Sequence, residues 1–68
     1  MKFNIGDSVI TKVSKRGSYE PSFCQVHEKM TVEGIQRVGS VIHYICGYDG
    51  YDFTEDEIMS VEKYKQTL

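Results

Sequence analysis

The chain of 68 residues has room for a single hydrophobic core, and its Val, Ile, Leu and Phe content, 17 of 68, lifts it out of the disordered class. Seven valines, six isoleucines and four threonines stand against no alanine and one leucine, which excludes a helix bundle and favours a pleated sheet. The net charge of −2, divided as +1 over residues 1–34 and −3 over residues 35–68, lacks the basic excess expected of a duplex-binding domain.

In the N-terminal segment Phe3 and Ile5 alternate with Lys2 and Asn4, which gives one apolar face, and Gly6-Asp7 is a turn signal. Val9, Thr11 and Val13 then alternate with Ser8, Ile10 and Lys12, so a strand is expected from Ser8 to Val13. Residues 14–22, with Gly17, Pro21 and three serines, form a loop that is also the most basic part of the chain. From Phe23 to Glu28 the alternation is weak and fits either a short strand or an extended continuation of that loop.

Met30 and Val32 alternate with Thr31 and Glu33, and the apolar phase slips by one at Ile35, with Gly34 at the slip. A period of two that slips at a glycine marks a β-bulge or a sharp bend. Val38-Gly39-Ser40-Val41 fits a two-residue hairpin, where glycine at the first loop position suits a type II′ turn. Val41 to Cys46 is a near-continuous apolar strand, expected to be central. The tandem Gly-Tyr-Asp of residues 47–52 is a turn. Thr54 and Glu57 have the spacing of a capping box over one 3-10 turn, Ile58 to Val61 is a last short strand, and Lys63 to Leu68 is a polar tail.

That order of elements resembles the small SH3-like barrels, including the KOW and Tudor-like groups and the little barrels common in phage and Gram-positive mobile elements. The resemblance rests on Ile5-Gly6-Asp7-Ser8-Val9, Val32-Glu33-Gly34-Ile35, Val41 to Ile45, and Phe53-Thr54-Glu55-Asp56-Glu57-Ile58, and spans about residues 3–62. It implies a five-stranded all-β barrel and a non-catalytic adaptor that binds peptides, nucleic acids or proteins. The segment Ser14 to Glu28 is longer than a plain KOW loop and has no counterpart there. Similarity of fold alone does not settle function.

Four constellations bear on chemistry. Cys24-x-x-His27 and His43-x-x-Cys46 supply a zinc-type donor set, but positions three apart on a strand face opposite ways, so no metal site and no cofactor is expected. Cys24 with His27 or His43 lacks a third orienting group or an oxyanion nest, and the chain reads as no enzyme. Tyr48 to Glu57 carries Asp49, Asp52, Glu55, Asp56 and Glu57 with Tyr48, Tyr51 and Phe53; tyrosines offer rigid contact area and carboxylates pair with guanidinium groups. In SH3 and Tudor-type barrels aromatic and acidic residues occupy the ligand face, which the resemblance carries to these positions. Spaced carboxylates can also mimic a phosphate backbone, although −2 is a small charge for that. Finally, Lys12, Lys15 and Arg16 with Tyr19 pair basic groups with an aromatic ring, the footprint of backbone tracking and base stacking.

The resulting expectation is an SH3-like barrel over residues 1–62, followed by the tail 63–68. Val9, Val13, Val32, Ile35, Val41, Ile45, Phe53 and Ile58 form its core. It binds a protein partner with a basic surface through Tyr48, Asp49, Tyr51, Asp52, Glu55 and Asp56, and the mobile-element resemblance suggests an inhibitor or modulator of a larger host enzyme. The alternative is a KOW-like barrel that binds nucleic acid through Lys12, Lys15, Arg16 and Tyr19. No apolar run reaches 18 residues and the N-terminus has no leader-like apolar core. The chain is therefore read as cytoplasmic, off the membrane, with free thiols and either monomeric or dimeric.

Overall fold

The computed structural model describes residues 2–16 and 23–67. Its strands are β1 (Ser8–Thr11), β2 (Lys15–Arg16), β3 (Phe23–Cys24), β4 (Lys29–Val38), β5 (Val41–Cys46), β6 (Tyr51–Thr54) and β7 (Ile58–Ser60). A 3-10 turn, Glu55–Glu57, joins β6 to β7, and a short helix α1 (Val61–Gln66) follows. Five strands form one antiparallel sheet in the order β6-β5-β4-β1-β7, while β2 and β3 pair as a separate antiparallel hairpin. The abundance of β-branched residues is thus realised as antiparallel sheet.

Strand β4 serves two partners. Its residues 29–31 pair with β1, and from Val32 onward it pairs with β5. The register shifts between Val32, opposite Cys46, and Gly34, opposite Ile45, which leaves Glu33 as the extra residue of a bulge. This is the slip visible in the sequence: the inward phase of Met30 and Val32 continues at Ile35 rather than Gly34. A bulge sharpens the local twist and bends the strand, so one long strand can serve both ends of the sheet. At the β4–β5 hairpin Gly39 takes φ +61, whereas Ser40 stays outside the left-handed region.

Strand β1 stops at Thr11, two residues before the expected Val13. The chain opposite it turns away there: Thr11 N–H donates to Glu28 O, His27 N–H donates to Thr11 O, and the Thr11 hydroxyl donates to Gln25 O while accepting from Glu28 N–H. Of the two readings left open for Phe23 to Glu28, the short strand holds at Phe23–Cys24, and the chain then turns, with His27 at φ +65.

Val9, Val32, Phe53 and Ile58 are buried as expected, joined in the core by Phe3, Cys24, Met30, Tyr44, Cys46 and Tyr51. Val13 and Ile35 pack partly buried against it. Val41 corrects the sequence reading. It is 46% exposed because it pairs with Val38 at the end of the hairpin, beyond the reach of the core. Ile45 is half-buried and points outward, opposite Gly34. The N-terminal apolar face divides as well: Phe3 is buried, whereas Ile5 is 65% exposed. Phe3 is held by Tyr44, whose ring meets it edge-on at 5.2 Å and whose hydroxyl accepts from the backbone N–H of Lys2 (3.0 Å) and Phe3 (3.4 Å).

The polar tail is also corrected. Ser60 ends the last strand and caps a helix, its hydroxyl accepting from Lys63 N–H at 3.1 Å. Helix α1 packs against β1 and β7. Ile10, on the opposite face of β1 from Val9, is buried although it lies outside the main core.

Candidate functional site

The register of β4, β5 and β6 decides which residues reach the surface. Tyr44 opposes Phe53 and Cys46 opposes Tyr51, and all four are buried. The alternate positions point outward: His43 opposes Thr54, and Ile45 opposes Asp52. The outer face of β5 and β6 therefore presents His43, Ile45, Asp52 and Thr54 as one layer.

Charge and hydrogen bonds organise this face. His43 Nδ1 and Asp52 Oδ1 lie 2.7 Å apart, a diagonal pair across the two strands. The Thr54 hydroxyl donates to Asp56 Oδ1 at 2.7 Å, and this bond holds the Asp56 carboxyl below its usual range, so Asp56 is ionised at neutral pH. Thr54 N–H donates to Glu57 Oε1 at 2.8 Å, one half of the capping box expected there. Asp56 and Glu55 are exposed. From Val38 to Glu62 the sequence holds no lysine or arginine.

The turn from Gly47 to Gly50 closes the β5–β6 hairpin. Gly47 and Gly50 take φ +77 and +70, and Gly47 N–H donates to Thr31 O, which ties the turn to β4. The positive φ favours glycine at position 47, and a Cβ there would crowd Met30 Sδ at 3.3 Å. Tyr48 is fully exposed. Beside it, Glu33, Ile45, Gly47 and Gly50 complete a shallow recess of about 500 Å³.

Of the six residues expected to contact a protein, Tyr48, Asp52, Glu55 and Asp56 are exposed. Tyr51 is not. It is 6% exposed because its register opposite Cys46 turns the ring into the core, and its hydroxyl donates to Asp49 Oδ2 at 3.4 Å. Asp49 is half-buried beside it.

The basic set is dispersed. Lys12 and Arg16 are exposed, but Lys15 is engaged: its ammonium lies 2.7 Å from Glu57 Oε1, donates to Asp52 O at 2.8 Å and sits 5.6 Å from the centre of the Phe53 ring. Tyr19 lies outside the described residues. The cysteine and histidine set is divided too. Cys24 and Cys46 are free thiols in the core, His27 sits on the turn against Tyr64 at 5.4 Å, and His43 faces outward from the same strand that turns Cys46 inward. No group of three or more metal-ligating side chains gathers among the described residues.

Glu33 is the surface residue that sequence reasoning passed over. The phase slip at Gly34 was its signal, since the extra residue of a bulge is the one whose side chain is re-aimed. Comparison with protein-family models, with curated proteins and with solved structures returned no match.

Proposed function

We propose that this chain is a non-catalytic protein-binding module of the SH3-like barrel type, which engages a basic surface through the outer β5–β6 face. The strand order β6-β5-β4-β1-β7, with a single 3-10 turn before the last strand, supports the barrel reading. The observation that carries the binding reading is the fully exposed Tyr48, on the same hairpin as exposed Asp52 and followed by exposed Glu55 and Asp56, in a stretch without any basic residue. An exposed ring offers apolar contact area at low entropic cost, and carboxylates around it select a cationic partner. Inhibition or modulation of a larger enzyme is the concrete form this takes. Nucleic acid ranks second, because Lys15 is held by Glu57 and Asp52 rather than offered to phosphate.

The test is affinity capture from native cell extract, split into nuclease-treated and untreated halves, with the wild-type chain and with Tyr48→Ser/Glu55→Lys as baits. Neither substituted side chain makes a hydrogen bond or ion pair among the described residues, so the fold is preserved. A protein retained in both halves by the wild type and lost with the variant supports the reading. Retention that disappears on nuclease treatment, or that survives the double substitution, overturns it.

A further inference from the structure

We infer that the recess formed by Glu33, Ile45, Gly47, Tyr48 and Gly50 receives an arginine side chain of the protein partner, its guanidinium on the Glu33 carboxylate and its plane against the Tyr48 ring. This rests on the protein-binding reading above and names the anchor of that contact.

The bulge is the first ground. As the extra residue between Val32 and Gly34, Glu33 leaves the regular alternation, and its side chain comes to border the β5–β6 turn rather than pair across the sheet. It is exposed and makes no hydrogen bond or ion pair among the described residues. The shape of the recess is the second. Ile45 gives an aliphatic wall, the two glycines leave backbone uncovered, and Tyr48 stands free at the rim. The turn is tied to β4 by the Gly47 N–H, which donates to Thr31 O, and is closed by the Gly50 N–H, which donates to Gly47 O.

Charge selects the occupant. An apolar side chain would desolvate the Glu33 carboxylate without pairing it, which is costly. A cation satisfies it, and no lysine or arginine among the described residues pairs with it. Arginine fits better than lysine. Its planar fork pairs with a carboxylate through two parallel hydrogen bonds and stacks on an aromatic face, whereas an ammonium is a compact, strongly hydrated point charge.

The probes are three acetylated, amidated tripeptides, Gly-X-Gly, with X as arginine, lysine or citrulline, the neutral isostere of arginine. Each is titrated into the full chain while backbone amide shifts are followed by NMR. The arginine peptide is expected to shift Glu33, Gly47, Tyr48 and Gly50 saturably, with citrulline about tenfold weaker and Glu33→Gln weakening the arginine peptide by a similar factor. Equal response to citrulline, stronger binding of lysine, or no saturable shift up to about 10 mM peptide overturns the inference. Shifts confined to residues 52–56 also overturn it but leave the acidic-face reading standing, since that reading is tested separately by the capture experiment.

Discussion

The ammonium of Lys15 lies 2.7 Å from the carboxylate of Glu57, and the same ammonium donates to the main-chain oxygen of Asp52. These contacts bind the β2–β3 hairpin to the open edge of β6 and to the 3-10 turn. An uncovered edge strand invites pairing with other chains, and a lysine across it is one way to blunt it. One residue thus ties the β2–β3 hairpin both to β6 and to the 3-10 turn.

Lys15→Met should therefore destabilise the fold by about 1–2 kcal/mol, the range for a charge-assisted bond discounted for partial exposure, as read from the urea midpoint. Lys12→Met, at an exposed position, should change it by less than about 0.5 kcal/mol. Equal effects would show that Lys15 has no special place.

Acid should weaken the same clasp. Burial works to raise the Glu57 carboxyl, but the bonds from Lys15 and from Thr54 N–H outweigh it and hold it below its ordinary value of 4.5. A lowered native value means that the contribution is complete above pH 4.5 and fades as pH falls through the native value. The stability difference between wild type and Glu57→Gln should shrink below pH 4.5 and be constant between pH 6 and 8, as followed by thermal melts across that range.

Tyr44→Phe keeps the ring but leaves the N–H groups of Lys2 and Phe3 without their acceptor. Since Phe3 is buried, a loss of about 1–3 kcal/mol is expected. Faster amide exchange at residues 2 and 3 should accompany it. Unchanged exchange would mean that the hydroxyl does not hold this segment.

The two thiols should be inert in the native state. Burial pushes the Cys46 thiol up to about 11, with the carboxylates of Glu33 and Asp52 adding to the effect, and burial raises Cys24 as well. Reaction with a thiol-specific dye at pH 8 should follow global unfolding. A raised native value also means that stability is complete below about pH 9 and declines between about 9 and 11.

Much of the sheet was legible in the sequence. Alternation placed the cores of β1 and β4, glycine chemistry placed the Val38–Val41 hairpin, and the slip at Gly34 marked the bulge. Thr54 and Glu57 marked the 3-10 turn. What local pattern does not encode is register and long-range cover. Tyr48 and Tyr51 sit in near-identical Gly-Tyr-Asp settings, and only the pairing of Cys46 with Tyr51 sends one ring inward and leaves the other in water. Val41 looks like a core residue until its place at the hairpin end is known. The partners of Lys15 lie some forty residues away in sequence, and α1 is too short to show a helical period.

The most direct measurement is hydrogen–deuterium exchange on the wild-type chain, free and in complex with the protein it captures. Protection is predicted at residues 45–56 and at Glu33, with the β2–β3 hairpin unchanged. Protection confined to residues 12–16 and 23–29, with residues 45–56 exchanging as in the free chain, would contradict the acidic face as the binding surface.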